Sequence, residues 1–235
     1  MSLLTGVSIT WLGHSTVLVQ TAKGTNILID PFISGNPKYP KDFALPAKID
    51  AILVTHGHFD HIGDVATVAA SHNAPVVAIF ELADYFSRKG VASVIGMNLG
   101  GTVQFGDVAV TMVEAKHSSS APEENGLIYG GVAAGYVLTV DGSAVLYHAG
   151  DTAVFGDMKI IGELYKPQVA LLPIGGHFTM APREAALAAS LLRVKTILPL
   201  HFATFPDMPP VSSEQLAALV NPAVKVISWL PGETV

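Results

Sequence analysis

The 235-residue sequence contains no cysteine. Disulfides and thiolate metal sites are therefore excluded, and any bound cation must take nitrogen and oxygen ligands. Charge is scarce as well, with 14% of residues charged and a formal net charge of -6. No excess of Lys and Arg is on hand to neutralise phosphates, so no nucleic-acid partner is expected. Long apolar runs are missing too: none reaches the roughly 18 residues of a membrane span. The first residues, Met1 to Gly6, lack the basic start and apolar stretch of a secretory signal. These absences together lead to the expectation of a cytoplasmic protein with no membrane partner.

What is abundant is apolar residues, at half of the chain. That composition excludes a disordered polymer and supplies one large core. Short β-rich runs open the sequence at Val7 to Leu12, Thr16 to Gln20 and Asn26 to Ile29. A Pro-rich loop from Pro31 to Pro46 follows, then Ala51 to Val54, a continuous apolar run suited to a strand buried on both faces. A helix is expected from Asp64 to Ser71, a strand from Val76 to Ile79 and a helix from Glu81 to Lys89. A second β-rich block covers Val103 to Val113, Ala133 to Thr139 and Ala144 to Tyr147, with turns at Phe105 to Val108 and Asp141-Gly142.

The remainder alternates: helix Met158 to Tyr165, strand Val169 to Leu172, helix Pro182 to Leu192, strand Thr196 to Leu200. A last helix (Ser212 to Val220) and strand (Val224 to Ser228) end the chain. Pro182 suits a first helical position, and Ser212 a cap. No low-complexity linker divides these elements, so residues 1–235 read as a single domain, a buried double sheet with helices on its outer faces.

Chemistry concentrates in Thr55-His56-Gly57-His58-Phe59-Asp60-His61, between the buried strand and the next helix. Nine histidines are present, and chance would produce such a HxHxDH cluster in roughly 6 of 10,000 sequences of this composition. Residues two apart on extended backbone point the same way, so His56 and His58 can grip one ion together. Asp60 and His61, beyond the bend, can face a second. Four ligands do not complete two sites that each keep a place for water. His117, Asp151 and His201 supply the balance, each where a strand gives way to a loop.

HxHxDH, a distant His, a Gly-Asp pair and a final His, in this order, resemble the metallo-β-lactamase superfamily. Trp11-Leu12-Gly13-His14-Ser15, His148-Ala149-Gly150-Asp151-Thr152 and Gly175-Gly176-His177-Phe178-Thr179-Met180 resemble more narrowly an uncharacterised branch of metal-dependent hydrolases related to the ascorbate-6-phosphate lactonases. The resemblance implies an α+β fold, an αββα sandwich of two mixed sheets with the site at one edge. It implies one metal on His56, His58 and His117, a second on Asp60, His61 and His201, and Asp151 bridging.

The expected cofactors are thus two divalent ions, zinc first, with manganese, iron, cobalt and nickel also suited to such ligands. The expected activity is a dinuclear, hydroxide-generating hydrolase acting on a small-molecule ester, lactone or phosphoester. Asp60 is also read as orienting the attacking hydroxide. The alternatives are a phosphodiesterase or nuclease, for which the chain lacks length and basic charge, and a non-catalytic metal-binding module. Oligomeric state is left open.

Outside the seven, His14 and His177 are expected to line the site, with His177 the favoured proton donor. His148 is read as supporting Asp151 from behind, and His72 as surface. Asp64 is expected to cap a helix, Lys116 to be solvated, and Ser118 to Gly131 to form a mobile loop able to act as a lid.

Overall fold

Strands of two to seven residues, most of them apolar runs, assemble into two large sheets in the computed structural model, which describes residues 3–235. The first sheet takes β1 (Val7–Trp11), β2 (Val17–Thr21), β3 (Asn26–Ile29), β4 (Ala51–Leu53), β5 (Val76–Ile79) and β6 (Val94–Met97), in that spatial order. β1 to β3 form an antiparallel meander, and β3 to β6 run parallel. The second sheet contains β7 (Thr102–Phe105), β8 (Val108–Glu114), β11 (Ala134–Val140), β12 (Ala144–His148), β13 (Val169–Pro173), β14 (Thr196–Leu200) and β15 (Lys225–Val226). Its spatial order is β15-β14-β13-β12-β11-β8-β7.

Helices cover both outer faces. α2 (Val65–His72) and α3 (Phe80–Arg88) bury Val65, Val68, Leu82 and Phe86 against the first sheet. α4 (Met158–Tyr165), α5 (Pro182–Leu192) and α6 (Ser213–Ala217) do the same for the second. β13 shows the consequence of being sandwiched: Val169 and Leu171 face the core shared by the sheets, Ala170 and Leu172 the helical layer. Both faces are dry, so the strand reads as an unbroken apolar run rather than an alternation. The expected αββα arrangement is the one found.

Pro182 is the first residue of α5, and Ser212 caps α6 by accepting from the Gln215 N–H. Asp64 stands before α2, but its side chain does not cap it. Its Oδ2 accepts instead from the N–H groups of Ile33 and Ser34 at 2.6 and 3.0 Å, anchoring the Pro-rich loop.

The expected mobile loop is corrected. Within Ser118 to Gly131 the chain forms a hairpin, β9 (Ser120–Glu123) and β10 (Gly126–Tyr129). It is seated on Gly57, where a Cβ would lie 2.9 Å from the Ser120 carbonyl oxygen, so only glycine permits the approach. Ser119 Oγ accepts from the Gly57 N–H and donates to the Gly130 carbonyl. Among the described residues, no helix is long and apolar enough to cross a membrane.

Strand direction decides where function can lie. β1 and β3 point the same way, as do β8, β12, β13 and β14, because each antiparallel step is followed by a second. Their carboxyl ends therefore share one rim, the usual address for a site in a sheet with parallel strands.

Candidate metal centre

Each site side chain leaves one of those carboxyl ends. His14 follows β1, Asp30 follows β3, and His56 to His61 follow β4, with α1 (Phe59–Ile62) beginning inside the motif. His117 lies beyond β8, Asp151 beyond β12 and His201 directly after β14. The His14 carbonyl accepts from the His201 N–H at 3.1 Å and so ties the two sheets together at the rim. His14, Asp30 and His201 all adopt left-handed backbone, with φ of 53, 47 and 52°. Such residues cost about 1–3 kcal/mol each and gather where a site needs a side chain turned inward.

All seven expected ligands converge. His56, His58 and His117 place ring nitrogens within 4.8 Å of one another, and so lie the ring nitrogens of His14, His61 and His201 and a carboxylate oxygen of Asp60. His56 Nε2 and His58 Nδ1 are 2.9 Å apart. Asp151 lies between the groups: its Oδ2 is 3.0 Å from His201 Nε2, 3.3 Å from His61 Nε2, 3.7 Å from His117 Nε2 and 3.9 Å from His56 Nε2. Gly150, at φ 62°, makes that position reachable, since a Cβ there would meet the Ala134 carbonyl at 2.6 Å.

The donor set fits divalent cations. Asp151 Oδ1, His61 Nε2 and both ring nitrogens of His201 are buried without an aligned hydrogen-bond partner. Orphaned buried polar atoms are costly, and several aimed at one volume are what ligation by metal relieves.

Charge is distributed unequally over the cluster. Burial, reinforced by His61, holds His56 well below the usual imidazole range, and burial also lowers His58 and His117. His61 behaves oppositely: burial opposes its cation, but Asp151, Asp30 and Asp60 overcome this and raise it well above that range. Burial likewise works against the Asp151 charge, and His201 and His61 outweigh it, keeping the carboxyl ionised. His14 is driven down to about 4 by burial and by His201, against the pull of Asp60.

His14 is fully buried, and it lines the cavity over the cluster. Its Nε2 lies 2.8 Å from Asp60 Oδ2 and its Nδ1 2.9 Å from Thr204 Oγ1. A carboxylate can only accept, so Nε2 donates and Asp60 is held in place. His177 is exposed beside Phe178 at the mouth of the site. His148 accepts from the Gly150 N–H at Nδ1 and reaches the Ser15 carbonyl with Nε2, which steadies the turn carrying Asp151. Lys116 pairs with Glu114 in solvent.

Sequence reasoning missed Asp30. Its Oδ1 accepts from the Thr55 N–H at 2.8 Å; its Oδ2 accepts from Thr55 Oγ1 at 2.6 Å and His61 Nδ1 at 2.8 Å. An acidic residue closing the buried run Asn26 to Ile29 was the available signal. Thr204, Phe205, Asp207 and Met208, in the irregular stretch after His201, carried no signal at all; the last three also line the cavity above the cluster, of about 730 Å³.

Comparison with known proteins agrees with this geometry. The model of the β-lactamase superfamily domain matches residues 25–202, more than half of the chain. The chain belongs to the metallo-β-lactamase superfamily. Within the superfamily it groups with the UPF0173 metal-dependent hydrolases. One from Koribacter versatilis is 52% identical over 231 residues, covering 98% of both chains. Another, from Rubrobacter xylanophilus, is 46% identical over 234 residues, covering 98% of this chain and 97% of the relative. Among solved metallo-β-lactamase relatives, the metallo hydrolase Igni18 of Ignicoccus hospitalis superposes with a TM-score of 0.82 at 36% identity, covering 97% of each chain.

Proposed function

We propose that this protein hydrolyses a small-molecule ester, lactone or phosphoester with two divalent ions, zinc foremost, acting as one domain in the cytoplasm. One observation carries the proposal: a single buried oxygen, Asp151 Oδ2, lies within 3.9 Å of ring nitrogens from four histidines on three different loops. His56, His58 and His117 would hold one ion, and Asp60, His61 and His201 the other, with Asp151 between them. When bound, such ions supply Lewis acidity and make hydroxide available near neutral pH.

The protein's own groups do the remaining work. His14 donates to Asp60 Oδ2, leaving Asp60 Oδ1 free to accept from an attacking water. Asp30 and Thr55 hold the His56 and His61 rings with their Nε2 atoms toward the cluster. His177, exposed at the cavity mouth, is read as the group that gives a proton to a departing oxygen. The kinship with phosphorylated-lactone hydrolases rests on the His14, Asp151 and His177 motifs alone.

Elemental analysis of the purified protein, coupled to panels of lactone, phosphodiester and thioester substrates, tests the reading. About two ions per chain and turnover in one panel are expected. Turnover that persists after complete chelation refutes metal dependence.

A further inference from the structure

The floor of the cavity accounts for bond cleavage, but its walls have a character of their own. Phe59 sits inside the HxHxDH motif yet is 63% exposed, and Phe178, beside His177, is 65% exposed. Most of each ring faces water, and both stand at the mouth of the same cavity as Phe205 and Met208. Phe59 and Phe205 each lean on Phe32, at ring distances of 6.1 and 6.4 Å, so one wall is a braced aromatic surface. The second is Phe178, held edge-on to His177 at 4.4 Å.

The charges at the mouth are equally specific. No Lys or Arg lines this cavity among the described residues. The nearest basic residue in sequence, Lys116, pairs with Glu114 and borders a separate groove behind the Phe178 loop. Asp207 is an exposed carboxylate on the cavity wall without an ion-pair partner among the described residues. Sites that recognise phosphate or carboxylate groups present Arg or Lys to them. This one presents aromatic rings and a negative charge.

We infer that the substrate is an uncharged carboxylic ester or lactone whose substituent is apolar and lies between Phe178 and the Phe59–Phe205 wall. This rests on the hydrolase reading above and narrows it, removing phosphate-bearing substrates. Water adds to the carbonyl carbon through a new C–O bond, the ester C–O bond breaks, and the leaving oxygen takes a proton. The products are an acid and an alcohol, or one hydroxy acid from a lactone. Asp207 then faces an anionic product, and repulsion favours its departure.

The test uses metal-loaded protein and matched lactones with one ring: an alkyl-substituted series, and the same chains ended by carboxylate or phosphate. The neutral member is expected to show kcat/KM at least about tenfold higher, with KM falling as the chain lengthens. Phe178→Ala removes the chain-length dependence, and Asp207→Lys narrows the gap between neutral and anionic members. Equal or faster turnover of the anionic members overturns the substrate class while leaving a lactone hydrolase. Turnover of phosphodiesters with all lactones inert overturns it while leaving a hydrolase. Inertness towards every ester and phosphoester refutes the hydrolase reading itself.

Discussion

Asp30 Oδ2 accepts the Nδ1 proton of His61 at 2.8 Å, and both side chains are completely buried. The same oxygen accepts from Thr55 Oγ1, whose lone pair faces His56 Nδ1 at 3.1 Å. One carboxylate thus sets the ring orientation of two histidines in different halves of the cluster. Asp30→Asn keeps the volume but offers an amide where only an acceptor serves. The expected result is a loss of about 10- to 100-fold in metal affinity with the circular dichroism spectrum retained. Unchanged affinity in a metal competition titration would show that the rings are held by packing alone.

Asp151 offers a different prediction because its oxygen is near both groups of histidines. Asp151→Asn is expected to lower metal content and turnover on the order of a hundredfold or more. The fold survives, since the shape is preserved and Asp151 Oδ1 has no hydrogen-bonded partner to lose. Full activity in this variant, with normal metal content, removes the bridging role.

Much of this centre was legible in the sequence because its residue types are rare and local. HxHxDH crowds four metal-binding side chains into six positions, and His117, Asp151 and His201 each end an apolar run. Sandwiched strands such as β5 and β14 were legible for the same reason, being continuous apolar segments between breaks. The hairpin β9–β10 was not. Its strands are short, contain Pro122 and expose Leu127 and Tyr129, so neither alternation nor burial marks them. β6 is a half-exposed edge strand interrupted by Gly96. Asp30 escaped notice because its role depends on a left-handed backbone and on partners 25 and 31 residues away.

Gly150 turns the chain so that Asp151 can enter the cluster. Gly150→Ala places a methyl group 2.6 Å from the Ala134 carbonyl at a φ that L residues rarely adopt. Strain and overlap together are expected to cost about 2–4 kcal/mol in denaturant unfolding. Metal content should fall as well, because relief of the overlap moves Asp151. A variant as stable as the parent would mean that the turn has more room than the carbonyl contact implies.

Tyr136 separates support of the rim from chemistry. Its hydroxyl donates to the Val54 carbonyl at 2.8 Å, pinning the second sheet to the end of β4 two residues before His56. Tyr136→Phe removes that bond without emptying the core. A loss of about 1–2 kcal/mol is expected, with metal content near normal. Loss of metal without loss of stability would assign the hydroxyl to the site instead.

The raised pKa of His61 against the lowered pKa values of His56, His58 and His117 makes metal loading depend on pH. His56, His58 and His117 are lowered chiefly by burial, so near neutrality they are uncharged and ready to bind. His61 is raised because Asp151, Asp30 and Asp60 outweigh burial, so it retains its second proton until a cation displaces it. An ion that takes His61 as ligand must therefore displace about one proton from that ring, whereas ligation by His56, His58 and His117 displaces almost none. As pH falls, protons compete first at His61, and its ion should leave before the other. Calorimetric titration in buffers of different ionisation enthalpy measures the proton count for each ion. Two ions binding with equal proton release, or lost together on acidification, would contradict the asymmetry drawn from the charges around His61.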